Sequence, residues 1–338
     1  MKETGVIIVS WNSKKYLKDC LDSIFSQDYE DFQLYVVDNN SSDNSLEIAE
    51  ADSRITIIRN NANYGFAKGN NVGIERAIKE GCRYIVFVNF DVIADKKWLS
   101  SLVEKAKTDN KIGAVQSKIL IGDTGLINTT GNVLHYLGFS YCGNYKKSSD
   151  GDYQKNITVA SGASLLIKTE VLKKIGYFDE DFFLYFEDTD LTWRTREAGY
   201  EIVFEPSSII KHYYSFSRNK NKMYYSERNR LFFIFKNYDA RTLLLLFPAL
   251  ILTELLMLGF SLLSGWFIEK IKGYVYLISN LRLLFKKRKE TFNKKTIRDR
   301  ELKKYFSQSL KFEEINNPLF PALNLFYKMY WKLINRLI

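Results

Sequence analysis

Cysteine is scarce in this chain of 338 residues: Cys20, Cys82 and Cys142 stand far apart, with no CxxC pair among them. That excludes a disulfide framework or a zinc cluster and fits a reducing compartment. Histidine is scarcer still. With His135 and His212 alone and no HExxH, a multi-histidine zinc site is excluded. Four prolines and 18 glycines leave no collagen-like or low-complexity tract, and no fixed period suggests a solenoid or propeller. No GxGxxG follows the first apolar run, and neither GxxxxGK[ST] nor GxSxG occurs. Dinucleotide oxidoreductases, P-loop NTPases and serine hydrolases drop out with them. The N-terminus runs directly into the apolar Val6–Val9, so no signal peptide is expected.

What is present is ordinary globular composition, 46% hydrophobic and 26% charged, with a formal charge of +10 that is unevenly spread. Residues 1–215 carry 25 Lys/Arg against 30 Asp/Glu, a balance of −5; residues 216–338 carry 24 against 9, a balance of +15. The two parts also differ in period. The front alternates short apolar runs with amphipathic stretches, the pattern of an α/β fold around a mostly parallel sheet. Strands are expected at Val6–Val9, Phe32–Val37, Ile55–Ile58, Tyr84–Val88, Gly113–Ser117 and Ser164–Ile167, with Ile202–Phe204 closing the sheet. Helices are expected at Ser13–Ser26, Ser45–Ala51, Ala67–Lys79, Lys97–Lys107, Thr169–Ile175 and Leu191–Ala198, and the stretch from Gly122 to Gln154 is irregular.

Ligands of such sheets bind outside the carboxyl ends of the strands, which directs attention to Ser10–Asn12, Asp38 and Asn89–Asp91. Asp91 could bind a divalent cation that bridges a diphosphate, or could simply cap a turn. The polar run Asp38–Ser45 could contact a nucleobase and ribose, or cap the next helix. Lys68 suits a phosphate or a solvated helix face. Glu187-Asp-Thr-Asp190 places three carboxylates in four residues beside the aromatic run Phe182–Phe186. Capping explains one or two of them; a carboxylate desolvated by aromatic neighbours gains the basicity of a general base. His212, taken alone, is equally a structural residue.

In their order along the chain, Val6–Asn12, Val37–Asn44, Asn63–Asn71, Asn89–Asp91, Ser161–Ala163, Phe186–Asp190 and His212 resemble the family 2 glycosyltransferases, and most of all their rhamnosyltransferase-like branch. The resemblance covers residues 4–236. It implies the GT-A nucleotide-sugar fold and an inverting displacement at the anomeric carbon, with Mn²⁺ or Mg²⁺ as cofactor. Ser10, Asn12, Asp38, Gly65, Lys68, Asn89 and Asp91 would then bind the donor, a dTDP- or UDP-sugar such as a rhamnose or galactose form. Asp91 and His212 would hold the metal, although Asn89 stands where the family's motif has its first Asp. Asp188 would be the general base, and Glu187 and Trp193 would face the acceptor. Arg218, Arg228 and Arg230 suit a diphosphate or a solvated basic surface.

The back, residues 237–338, is expected to be a separate helical region. Leu243–Leu263 is 21 residues long and just sufficient to span a bilayer, but Glu254 lies near its centre and Lys/Arg flank it on both sides. Helices lying in the cytoplasmic leaflet are therefore expected, with Lys286–Lys289 on anionic headgroups and Pro318–Ile338 as an interfacial helix. Packing on the front domain or on a second copy of the chain is the alternative. A membrane seat would let the enzyme reach a polyprenyl-diphosphate-linked glycan. The long apolar runs fit lipid better than nucleic acid, and the presence of Asp91 and Asp188 counts against a non-catalytic scaffold for partner transferases.

Overall fold

The computed structural model describes residues 1–151, 157–214, 220–311 and 320–338. Two compact units are distinguished: residues 1–132 with 142–215, and residues 133–141 with 216–338.

The first unit opens with β1 (Thr4–Ser10), α1 (Leu17–Phe25), β2 (Phe32–Asp38), α2 (Ser45–Glu50), β3 (Ile55–Arg59), α3 (Gly65–Lys79) and β4 (Tyr84–Val88). β5 (Val92–Ala94), α4 (Trp98–Lys107), β6 (Ile112–Ile121) and β7 (Ile127–Thr129) follow. β8 (Asn132–Leu134) and β9 (Ser140–Cys142), which lie mostly among residues 133–141 of the second unit, form a two-stranded sheet of their own. β10 (Ser164–Lys168), α5 (Thr169–Ile175), α6 (Glu187–Glu197) and β11 (Glu201–His212) complete the series. The main sheet has the order β3-β2-β1-β4-β10-β6-β11-β5, with β7 on β6. β10 runs antiparallel to both β4 and β6, so β3, β2, β1, β4, β6 and β11 share one direction. That is the mostly parallel sheet the pattern predicts.

Alternation along β1 explains the layers. Val6 and Ile8 face α1 and α4 through Leu17, Leu21, Leu99 and Leu102, while Ile7 faces α3 and α5 through Ile74 and Val171. β4 is buried at every position, as a strand covered on both faces must be. α3 can lie close to β1 because it presents glycine there: a Cβ at Gly73 would stand 2.7 Å from Ile7 Cγ2.

Three expectations are corrected. Ile202–Phe204 and the following Ser207–Lys211 are one long strand, broken in register between Glu205 and Ile209 around Pro206, and β5 rather than β11 forms the sheet edge. The carboxylates of Glu187–Asp190 do not precede a helix; they are its first turn, where the macrodipole favours them. Residues 13–16 form a turn, so the first helix begins at Leu17.

The second unit contains α7 (Lys220–Asn237), α8 (Ala240–Leu263), α9 (Phe267–Ser279), α10 (Leu281–Lys294), α11 (Asp299–Leu302) and α12 (Phe320–Ile334). The expected boundary at 236 moves, because α7 packs on α9 and α10 and so groups with the back of the chain. Glu254, costly if α8 stood alone in lipid, has buried partners. Lys270 donates to Glu227 at 2.5 Å and to Glu254 at 2.8 Å, and the Tyr274 hydroxyl donates to Glu254 at 2.7 Å. Arg230 donates to Glu227 at 3.0 Å, to the Leu137 carbonyl at 3.2 Å and also to Glu254. Its guanidinium is thus engaged within the second unit rather than offered to a diphosphate. Arg228 lies over the rings of Tyr225 and Tyr276, and Arg218 falls outside the described residues.

Candidate active site

Parallel strands end at one edge of the sheet, and the expected donor residues gather there by topology. Ser10 ends β1, Asp38 ends β2, Asn89–Asp91 follow β4, and His212 ends β11. Backbone pairing at the tips fixes them: Asn39 N–H donates to Ser10 O at 2.8 Å, and Tyr213 N–H to Asp91 O at 2.9 Å.

Much of the predicted base-binding group is committed to its own loops. The Asp38 carboxylate accepts from Ser41 N–H at 3.2 Å, and Ser10 Oγ lies 2.6 Å from Ser13 Oγ. Asn12, at φ 50°, takes the Ser42 N–H on its side-chain oxygen at 2.9 Å while its own N–H donates to Ser41 Oγ at 3.0 Å. These bonds lock the loop after β1 to the loop after β2. Two further asparagines continue the lock: Asn60 donates to Asn39 at 2.9 Å, and Asn39 donates to Gly65 O at 3.0 Å. Lys68 Nζ rests over the Tyr64 ring, 4.2 Å from its centroid.

Asp91 and His212 meet, with Oδ1 and Nε2 3.1 Å apart, and Asn89 Nδ2 lies 3.3 Å from the same nitrogen. Both side chains of the pair are largely buried, and His212 Nδ1 has no partner. A carboxylate and an imidazole this close can serve one divalent cation, with substrate oxygens supplying the rest of its coordination. Among the described residues no group of three or more His, Cys, Asp or Glu side chains is arranged for a metal.

The second half of the site is built by the loop before α6. Phe183, Tyr185 and Phe186 all adopt positive φ, between 61° and 71°, which is costly for bulky residues and concentrates backbone strain beside the carboxylates. Contacts from elsewhere hold it. Phe66 N–H, at the start of α3, donates to Phe183 O at 2.9 Å, and a Cβ at Gly65 would stand 2.5 Å from that oxygen. With its φ of +72°, Gly65 allows this close approach of the backbone. Asn71 accepts from Phe178 N–H at 3.0 Å and returns a bond to Phe178 O at 2.9 Å.

Asp188 then accepts from Gly162 N–H at 2.9 Å and from Thr189 N–H at 2.6 Å. Burial pushes its carboxyl above the usual range, while these two backbone donors pull it back. Glu187 is also buried, with Oε2 unpartnered; desolvation first, and the charge of Asp188 second, hold it well above the usual carboxylate range. Between the two, the proton belongs on Glu187, since the backbone donors favour an ionised Asp188. Asp190 is neutralised by Arg194 at 2.8 Å. Gly162 also joins the halves: the next residue, Ala163, accepts the Asn89 N–H at 3.2 Å. One turn thereby ties Asn89, beside the Asp91–His212 pair, to Asp188.

Trp193 is a correction. It is fully buried on the inner face of α6, with its indole N–H donating to Glu197 at 3.1 Å, and it presents no surface to an acceptor. Gln116 went unnoticed in the sequence because it lies inside an apolar strand. Its amide oxygen accepts Ser161 N–H at 2.6 Å and its nitrogen donates to Ser164 O at 3.1 Å, which fixes the turn carrying Gly162.

Residues 5–176 match the family described as Glycosyl transferase family 2. Poly-beta-1,6-N-acetyl-D-glucosamine synthase of Staphylococcus epidermidis is 26% identical over 206 residues, covering 60% of this chain and 48% of that protein. The Staphylococcus aureus protein of the same name is 24% identical over the same length and coverage. The chain spans about half the length of these curated relatives. Among solved structures, GalNAc-T7 with UDP, GalNAc and Mn²⁺ aligns with a TM-score of 0.58 at 14% identity, over 71% of this chain and 49% of that one. The mannosyltransferase PcManGT from Pyrobaculum calidifontis, in complex with GDP-Man and Mn²⁺, aligns with a TM-score of 0.52 at 16% identity, over 86% and 85%. These likenesses show the GT-A fold. With the family match spanning more than half of its length, the chain belongs to glycosyl transferase family 2.

Proposed function

We propose that this protein transfers a sugar, with inversion, from a dTDP- or UDP-sugar to a hydroxyl of a lipid-linked glycan at the cytoplasmic face of a membrane. The observation that carries the reading is Asp188: a desolvated carboxylate whose two oxygens are aimed by backbone N–H groups from Gly162 and Thr189. Such a group takes the proton of an acceptor hydroxyl as that oxygen attacks the anomeric carbon and the nucleoside diphosphate leaves from the opposite side. Glu187, protonated beside it, keeps the local charge low and has an unpartnered oxygen for a substrate hydroxyl. Asp91 and His212 would hold Mn²⁺ or Mg²⁺, which when bound offsets charge on the departing diphosphate. Two structural neighbours hold Mn²⁺ with their nucleotides, which supports the choice of ion. The strap between Asn89, Ala163, Gly162 and Asp188 keeps base and leaving-group binding in register.

The membrane assignment rests on the second unit. α8 has a mean hydropathy of 2.3 and is, among the described residues, the one helix long and apolar enough to cross a membrane. Its carboxylate is bound to Arg230 and Lys270 on α7 and α9, so α8 is part of a helical cluster, which favours an in-plane seat over a lone span. Polyprenyl-linked glycans present their growing ends at such a surface.

The test is nucleotide release by the full chain with Mn²⁺ or Mg²⁺, across a panel of UDP-, dTDP- and GDP-sugars, with and without a polyprenyl-linked acceptor. Release of one nucleotide that needs the metal, Asp91 and Asp188 is expected. Silence across the panel together with no nucleotide binding would overturn the reading.

A further inference from the structure

The second unit has a groove of about 590 Å³ along α9, closed on one side by Tyr224 of α7. Ile268, Ile271, Val275 and Tyr276 line it, and Lys272 is its one cation; no carboxylate lines it. Its volume falls within the range of about 300–1,000 Å³ typical of small-molecule pockets. We propose that this groove holds the hydrocarbon chain of an anionic membrane lipid, with Lys272 at the headgroup.

The occupant follows from three features of the unit. The lining is predominantly apolar from Phe267 to Tyr276, with Lys272 as its one cation and Ser279 and Asn280 at one end, which is the complement of a negatively charged amphiphile. The apolar surface continues beyond the groove: Ile278 on α9 and Phe285 on α10 are 69% and 65% exposed, so the groove opens into a face that already favours lipid. Four of the unit's carboxylates are engaged within it, Glu227 and Glu254 by Arg230 and Lys270, Asp239 and Asp299 by Lys295. Residues 216–338 carry a balance of +15, and Lys286 and Lys289 are among their exposed cations, which favours an anionic leaflet. Lys272 can lay its methylenes along the chain and keep its ammonium at the phosphate.

This inference rests on the membrane reading above, and its test separates the two. Full-length protein is mixed with vesicles of phosphatidylglycerol and phosphatidylcholine. Sedimentation is measured first; the protein is then extracted in mild detergent and its retained lipid identified by mass spectrometry. The wild-type chain is expected to retain phosphatidylglycerol in preference to phosphatidylcholine. Val275→Trp fills the groove from a half-exposed position without touching the unit's core, and is expected to lower retention about tenfold while sedimentation is kept. Lys272→Glu is expected to abolish the headgroup preference. Equal retention by wild type and Val275→Trp, with sedimentation intact, overturns the groove and spares the membrane reading. Loss of sedimentation by the wild type overturns both. A wild-type dimer that retains no lipid and that Val275→Trp breaks would make the groove an interface between copies, and the proposal fails.

Discussion

The two units of this protein place charge and apolar surface in opposite ways. In the first, apolar side chains fill both faces of the sheet, and of its described residues only Met1, Trp11 and Tyr214 are large exposed hydrophobics. In the second, Leu244, Leu255, Leu263, Ile278, Phe285 and Met329 are among the many that face outward, each at least 61% exposed except where helices turn inward, while Arg230 and Lys270 are 1% exposed. That contrast, with charges paired inside and leucines outside, is what the proposed membrane seat rests on. In the first unit Glu187 Oε2 has no partner and Asp188 is held by Gly162 and Thr189, whereas in the second Glu227 and Glu254 share Arg230 and Lys270.

The largest test of that contrast is removal of the proposed base. Asp188→Asn is expected to lower kcat/KM by about 10²- to 10⁴-fold, the usual share of general-base catalysis, with an unchanged circular dichroism spectrum because the amide oxygen still accepts from Gly162. Next is a break in the paired cluster. Arg230→Met leaves Glu227 and Glu254 to share Lys270 and should destabilise the second unit by about 3–5 kcal/mol in denaturant unfolding, whereas Leu255→Ser on the outward face should leave stability nearly unchanged and weaken vesicle binding. Equal effects from the two substitutions would erase the contrast.

Trp193→Phe distinguishes a core residue from a substrate contact. It deletes a buried hydrogen bond to Glu197 and should cost about 1 kcal/mol of stability with the acceptor KM unchanged. The smallest effect concerns pH. Because Glu187 binds its proton more tightly folded than unfolded, unfolding releases a proton between the ordinary glutamate value of about 4.3 and the raised folded one. Stability therefore falls as pH rises through that window, and Glu187→Gln should flatten the slope in thermal melts. For the same reason of burial, the acid limb of kcat/KM is expected above the usual aspartate range, since Asp188 must lose its proton to act.

Much of this was legible in the residues themselves. β4 and α5 lie where the pattern predicts them, because a fully apolar five-residue run and a short amphipathic stretch have few alternatives. Asp91, Asp188 and His212 stood out at strand and helix ends, although only the family resemblance gave them roles. Trp193 was misplaced because one turn of helix decides whether a side chain faces substrate or core, and periodicity through a segment this polar does not reveal it. Gln116 was invisible because an amide in a strand declares its role only when the neighbouring strand arrives.

The sequence by itself determined the alternation of strands and helices, the edge of the sheet at which polar loops collect, and the division into an acidic front and a basic, apolar back, since all three follow from local period and charge. Tertiary structure alone decided that His212 meets Asp91, 121 positions away in the sequence, that Gly162 aims Asp188, and that Glu254 is neutralised by Arg230 and Lys270. Those pairings join residues far apart in the chain, and only the packing of one element on another brings them within reach of a hydrogen bond.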